Sequence, residues 1–353
     1  MFDDGEVGLV DDLTMKDPGA DEVVVEIRAA GVCHSDLSVV NGTIPFPTPV
    51  VMGHEGAGVV VEVGAAVTNV EVGDHVVLST LGNCGSCAAC DTGHPTFCRV
   101  TFGRLRRPYR LGERKAFQFA NAGVFAERTV VKARQAVPID KTVPFEVASL
   151  IGCGVITGVG AVFNRAKVTH GQSVLVIGVG GIGLNVIQGA RLSDALPIIA
   201  VDANPAKEDL ARQFGATHFI DASSTDVAEA VKELCPDGVD VAFECVGHPD
   251  LIRQAIDLLD WGGTCVILGV PKVGTEASFV VHGLYNDKTI MGCRYGSARP
   301  QHDVPLLVDL YLAGRLELDA LVTRTYGLGD VQQVFDDMHA GELARGVLVL
   351  DGS

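Results

Sequence analysis

The chain has 353 residues, 47% of them hydrophobic and 20% charged, with a net charge of -17. That length suggests two domains and that composition a globular protein with sizeable cores, while the charge argues against nucleic acid, whose phosphates need a basic face. The apolar stretch Val174 to Ile187 is broken by four glycines and Asn185 and is no membrane span; ten cysteines and no opening signal segment point to a reducing cytoplasm.

The first 150 residues read as short β segments punctuated by Gly and Pro. Val23 to Ile27, Ala57 to Gly64 and Asp74 to Leu78 are such runs. From about 170 the texture changes. Ser173 to Ile177 is a continuous apolar run, as in a strand buried on both faces, and a helical pattern follows through Arg191. Ile198 to Val201 is the next strand, ending at Asp202, with a helix from about Pro205 to Phe214. Val239 to Cys245 and Thr264 to Gly269 continue the alternation, which implies a parallel sheet with right-handed crossovers. Helical patterns return over Val304 to Ala313 and Leu328 to His339, and Val347 to Leu350 reads as a strand returning to the first domain. The expected division is 1–153 with 292–353 against 154–291.

Cys84, Cys87, Cys90 and Cys98 fall within fifteen residues, among small side chains that let the backbone curl. Four thiolates can close a tetrahedral shell around one zinc ion, leaving no open position. Disulfides would need an oxidising compartment. A ferredoxin-type iron–sulfur run would place the fourth cysteine after three residues and follow it with proline; here seven intervene and Arg99 follows. Four unrelated thiols remain the plain alternative. A structural zinc accounts best for the spacing.

The run Gly178-Val179-Gly180-Gly181-Ile182-Gly183 sits between a buried strand and a helix, with Asp202 ending the next strand. In that context Gly178 allows the tight turn, Gly180 lets the backbone approach a pyrophosphate, and Gly183 lets helix and strand pack closely. The helix N-terminus offers its free N–H groups to the phosphates. Asp202 suits the ribose hydroxyls of NAD and repels the 2′-phosphate of NADP. An ordinary glycine-rich βαβ turn is the alternative.

A second set of metal-ligating residues is scattered: Cys33-His34-Ser35-Asp36, Gly53-His54-Glu55 and Gly152-Cys153-Gly154. Three ligands from different elements, with one open corner, is how a catalytic zinc reads in sequence. Together with the cysteine ladder, the glycine-rich turn and Asp202, these segments resemble the zinc-dependent medium-chain alcohol dehydrogenases, over nearly the whole chain. The resemblance implies a doubly wound α/β Rossmann domain that binds NAD and a GroES-like β-rich catalytic domain. It implies that Cys33, His54 and Cys153 hold a catalytic zinc, with Asp36 orienting His54 and Glu55 close to the metal beyond its ligands, transient ligation by Glu55 being the alternative. Two zinc ions per chain follow, the second on the ladder. Cofactor contacts are implied for His34, Thr157, Gly178, Gly180, Gly181, Ile182, Gly183, Asp202, Lys207 and Arg345, with His34 and Arg345 on the pyrophosphate.

The implied activity is reversible hydride transfer between a primary or aromatic alcohol and NAD. Ser35 matches the hydroxyl that accepts the alcohol proton. Many relatives place a histidine three residues later to finish the relay; here Ser38 stands there, and a hydroxyl cannot store a proton at neutral pH as imidazole can. Water or His34 is then expected to end the relay. Thr80 matches a substrate-lining position. The arginine-rich segment Arg104 to Phe119 reads either as an overhang at the entrance or as a solvated loop. A formaldehyde dehydrogenase acting on a glutathione or mycothiol adduct is the near alternative, although Asn41 to Pro47 lacks the acidic group expected for glutathione. A further one is an enzyme whose tightly bound NAD is recycled by an external acceptor, and a different class is a non-catalytic dinucleotide-binding protein. The resemblance also implies a homodimer, with a tetramer as the alternative, built on a strand near Ala277 to Val281. Its first strand should be shortened, because Met1 falls inside it before the acidic turn Phe2-Asp3-Asp4-Gly5.

Overall fold

A computed structural model describes residues 1–3, 5–341 and 343–350. Asp4, in the expected acidic turn, lies outside the described residues. The chain forms two compact units: Met1–Gly154 with Arg299–Ser353, and Val155–Ala298. The sequence boundary at 292 coincides with the end of strand Thr289–Gly292, but the short turn Tyr295–Ser297 still packs in the second unit, against the helix Ile156–Gly160.

The first unit is built on a seven-stranded sheet. Its spine is Glu22–Val32, whose valine-rich run is buried on both faces. It pairs antiparallel with Glu55–Val63, Arg128–Lys132 and Arg345–Val349, so the C-terminal strand does return to this unit. His75–Leu78 and Ala136–Pro138 extend the sheet on one side, and Val322–Gly327 on the other. Val23, Val25, Ile27, Ala30 and Val32 on the spine pack with Leu78, Val131, Phe335 and Leu348 into one core. A smaller sheet joins Leu13–Met15, Tyr109–Leu111, Arg114–Gln118 and Val50–Val51. Leu13–Met15 is the first strand among the described residues. The described residues ahead of it are irregular, though Met1 exchanges two backbone hydrogen bonds with Val50.

The register of the spine brings the scattered ligands together. Gly31 pairs with Glu55, so Cys33, just past one strand, and His54, just before the other, meet at one edge of the pair. Cys153 arrives on the helical run Phe145–Ala166, which changes from α to π over Ile151–Val155. Among the described residues this run alone is long and apolar enough to cross a membrane, and 83% of its most apolar window is buried inside the protein, as in a core helix.

The second unit is a six-stranded parallel sheet. In space its strands run His218–Asp221, Ile198–Asp202, Val174–Ile177, Val239–Glu244, Leu259–Ile267, Thr289–Gly292. Numbered along the chain that order is 3-2-1-4-5-6, the doubly wound arrangement. Val174 to Ile177 are all essentially inaccessible, which is why that strand reads as an unbroken apolar run. The order reverses between Val174–Ile177 and Val239–Glu244, and ligands bind at the carboxyl ends of strands at such a point. The expected strand at Ala277 to Val281 is not formed: the segment is irregular up to Val280, and a 3₁₀ turn Val281–Asn286 follows. Its β-branched residues have no neighbouring strand to pair with in this chain, and the sheet ends instead at Thr289–Gly292.

Candidate active site

The cysteine ladder curls as its spacing requires. Cys87 caps a one-turn helix Ala88–Asp91 that points Cys90 back at Cys84. All four Sγ atoms lie within 4.8 Å of one another. Zinc–sulfur bonds of about 2.3 Å put tetrahedral sulfurs about 3.8 Å apart, and the Cys87–Cys90 and Cys84–Cys90 separations are 3.6 and 4.0 Å. Burial opposes ionisation of Cys98, but the amide of Cys84 and the hydroxyl and amide of Thr101 outweigh it and bring the thiol down to about 5. A thiolate is the form that binds zinc. All ten cysteines are free.

The scattered set also converges. Ligand atoms of Cys33, His54, Glu55 and Cys153 lie within 4.8 Å of one another, and Cys33, His54 and Glu55 are buried. Asp36, fully buried, organises it. Its carboxylate accepts from the amides of Cys33 and Gly53, both at 3.1 Å, and meets His54 Nδ1 at 3.2 Å. That contact fixes the imidazole and leaves Nε2 for a metal. Burial works against a charged His54, but the Asp36 carboxylate raises its pKa well above the usual value.

Glu55 is buried with Arg345, whose Nη2 is 3.1 Å from its Oε1. The amide of Gly154 donates to the same oxygen at 3.2 Å. The other oxygen, Oε2, has no hydrogen-bond partner. A buried carboxylate oxygen left unpaired is costly, and it belongs to a side chain that offers one carboxylate oxygen within 4.8 Å of two thiols and an imidazole, which fits a cation in that space. Burial lifts Glu55 to about 7 against the pull of Arg345. The flanking glycines follow from this crowding. A Cβ on Gly31 would lie 2.4 Å from Glu55 Oε2, and one on Gly154 would lie 1.9 Å from Arg345 Nη2.

The remaining expected residues are dispersed. His34 is exposed and Ser35 half-buried, both in the first turn of helix His34–Val40 beside Cys33. Ser38 is half-buried one turn on, and Thr80 half-buried after strand His75–Leu78. Thr157 is buried in Ile156–Gly160 of the second unit. Arg345, expected on a pyrophosphate, is 5% exposed and donates to Glu55 and to the Val32 carbonyl.

The glycine-rich turn carries the geometry that a dinucleotide needs. Gly178 has a φ of 94°, and a Cβ on Gly183 would lie 1.9 Å from the Gly178 carbonyl oxygen. Gly180 caps helix Gly181–Leu192 and faces open space, room that a pyrophosphate could fill. Asp202 accepts from the amides of Val179 (2.8 Å) and Asn204 (2.9 Å) and from Lys207 Nζ (2.9 Å). Sequence reasoning missed Glu244, fully buried at the end of the neighbouring strand. Its carboxylate accepts from the amides of Val246 and Gly247, tying down the turn beside Gly178. The available signal was its place: an acidic residue closing a buried parallel strand, as Asp202 does.

Known proteins match both units. Residues 19–141 match the alcohol dehydrogenase GroES-like domain, and 181–313 the zinc-binding dehydrogenase domain. The S-(hydroxymethyl)glutathione dehydrogenase of Paracoccus denitrificans is 38% identical over 96% of this chain and 95% of its own. This chain belongs to the zinc-binding alcohol dehydrogenases. Among solved structures, an alcohol dehydrogenase zinc-binding domain protein from Burkholderia ambifaria has a TM-score of 0.92 at 38% identity, covering 96% of this chain and 94% of that one. Benzyl alcohol dehydrogenase from Acinetobacter calcoaceticus has 0.91 at 36% identity, with the same coverage. As a member of this family the chain is an oxidoreductase of the alcohol dehydrogenase type, with zinc and NAD as cofactors. The doubly wound sheet and the GroES-like unit are those of this family of dehydrogenases.

Proposed function

We propose that this alcohol dehydrogenase oxidises primary and aromatic alcohols, and reduces the corresponding aldehydes, at the Cys33–His54–Cys153 cluster. The observation that carries the proposal is the convergence of those three ligands with Glu55, one of whose buried carboxylate oxygens has no hydrogen-bond partner. When bound, zinc would supply Lewis-acid polarisation of the substrate oxygen, and NAD would supply the hydride-accepting chemistry. Cys33, His54 and Cys153 hold the metal, and Asp36 fixes the tautomer of His54. Arg345 pairs with Glu55 and holds its carboxylate in place beside the ligands. Ser35, beside Cys33, takes the proton of the alcohol and passes it to water or to His34, because Ser38 cannot hold it. Cys84, Cys87, Cys90 and Cys98 hold a second zinc that braces the fold.

In the second unit Gly178, Gly180, Gly181, Ile182 and Gly183 cradle the pyrophosphate. Asp202, backed by Lys207, selects NAD over NADP by its charge. The cytoplasm and a homodimer are part of the same proposal. Phe119 stands edge-on to His54 at 5.3 Å, an apolar neighbour that favours aromatic and long alcohols. The thiol-adduct reading has support in the relative from Paracoccus, but Asn41 to Pro47 offers no acidic group for glutathione.

A substrate panel with zinc-loaded enzyme and NAD, followed by NADH absorbance, tests this. Benzyl and longer primary alcohols should turn over faster than the formaldehyde–glutathione adduct. The reverse order would favour the adduct enzyme, and no NADH from any alcohol would overturn the proposal.

A further inference from the structure

The segment from Arg99 to Lys115 carries seven cationic side chains and one acidic one, in a chain whose net charge is -17. Arg106 and Arg114 are accounted for by ion pairs with Glu22 and Asp3. Among the described residues the others form no ion pair, and Arg107 is unlike them in its surroundings. Its guanidinium lies over the ring of Phe117, 5.2 Å from the centroid. Phe117 is 6.4 Å from Phe46, Phe46 is 5.3 Å from Phe119, and Phe119 is 5.3 Å from the imidazole of His54. Each ring contact is edge-to-face. An unbroken aromatic run therefore connects the candidate metal ligand to one exposed cation, all within the first unit.

The stem of Arg107 is fixed on both sides. The Arg106 carbonyl accepts from the Gln118 amide at 3.0 Å, and the Pro108 carbonyl from the Lys16 amide at 2.9 Å. The side chain of Arg106 is anchored on Glu22, Gln118 and the Val130 carbonyl. A guanidinium stacked on a ring keeps its in-plane N–H fork free for a carboxylate. Phe46 and Phe117 are only half-buried, which leaves exposed ring surface beside Arg107 for an apolar body to rest on. An anion at the outer end would complete a pairing that the protein leaves open.

Building on the proposed alcohol oxidation, we propose that Arg107 is a specificity residue that binds the anionic tail of the substrate. The preferred alcohols are then those with an aromatic or apolar body between the hydroxymethyl group and a terminal carboxylate.

The test pairs each acid with its neutral parent: 4-(hydroxymethyl)benzoate with benzyl alcohol, and 4′-(hydroxymethyl)biphenyl-4-carboxylate with biphenyl-4-methanol. The ratio of kcat/KM, acid over parent, is read in the wild type, in Arg107→Gln and in Arg104→Gln, which removes an exposed cation of the same segment that lies off the aromatic run. In the wild type at least one pair should favour the acid. Arg107→Gln should lower that ratio about tenfold, carried by KM rather than kcat, while Arg104→Gln should hold it within about twofold. A ratio unmoved in Arg107→Gln, or lowered equally by Arg104→Gln, overturns the proposal and leaves the alcohol dehydrogenase reading standing. Failure of the wild type to oxidise either parent overturns that reading instead. Calorimetric binding of the biphenyl acid, tighter to the wild type than to Arg107→Gln, would then still support the clamp, and equal binding would overturn it.

Discussion

The two cysteine-bearing clusters differ in how they are made, and the difference tells which one can do chemistry. The ladder is local: one short turn and a few glycines bring four like ligands together near the surface, and four thiols fill a tetrahedron. The scattered set draws on the end of one strand, the start of its antiparallel partner and a distant helical run. It is enclosed by a buried acid on each side, Asp36 and Glu55, and by a buried cation, Arg345. Against the ladder, at Gly85, the guanidinium is that of Arg134, an exposed residue. A closed site stabilises; a site with mixed ligands and a charged surround can also bind and turn over a substrate.

Removing one ligand from each cluster gives the sharpest test of that contrast. Cys33→Ser should cost at least about 10³-fold in kcat, with one zinc retained per chain by elemental analysis. Undiminished turnover in that variant would break the comparison at its root. Cys98→Ser should act on folding instead, because structural zinc contributes folding energy directly. A fall in Tm of about 10 °C is expected, corresponding to about 3 kcal/mol for a unit of this size, with kcat of the folded enzyme kept within about threefold. If Cys98→Ser lost turnover as Cys33→Ser does, the ladder would not be a separate bracing site.

Asp36→Asn asks whether the surround matters as much as the ligands. Its carboxylate makes three contacts at once, two with amides and one with His54 Nδ1. The scattered site should lose about 10- to 100-fold in zinc affinity, while zinc on the ladder stays put. Competition with a chelator, followed by the order in which the two ions leave, reads this directly. Simultaneous release in the variant would mean that Asp36 serves the fold and not the metal.

What could be read in the sequence follows the same divide. The ladder and the glycine-rich turn are legible because their spacing is their geometry: Cys84 to Cys98 and Gly178 to Gly183 each lie within one local structure. The alternation of strand and helix from Val174 to Ile267 was legible because burial on both faces leaves continuous apolar runs. Cys33, His54 and Cys153 could be gathered only through resemblance to a family, since the register that unites them, Gly31 with Glu55, is not written in any one segment. The pairing of Arg345 with Glu55 across 290 residues was out of reach for that reason. The segment Ala277 to Val281, expected to pair across a two-fold, is irregular in the single chain, because β-branched composition reports a preference and a strand also needs a neighbour.

The smallest expected effect concerns what both clusters share. Glu22 opens the spine strand that ends beside Cys33, and it also anchors Arg106, eight residues beyond the last cysteine of the ladder. Burial would raise its pKa, but Lys16, the Gly19 amide, Arg106 and Lys132 outweigh that and hold it down at about 2. A carboxylate whose folded pKa is depressed contributes stability that is full above its unfolded pKa, about 4.3, and lost as the pH falls through its folded value. Two of its partners, Lys16 and Lys132, are largely exposed, so screening reduces the contribution at neutral pH to about 1–2 kcal/mol. Glu22→Gln should therefore lower Tm by about 2–8 °C at pH 7, and this difference from the wild type should shrink as the pH is taken from about 4.3 towards 2. Because it touches the common frame, it should weaken neither zinc site in preference to the other. Selective loss of zinc from one cluster would show that the two are braced separately, and the contrast between them would then extend to their scaffolds.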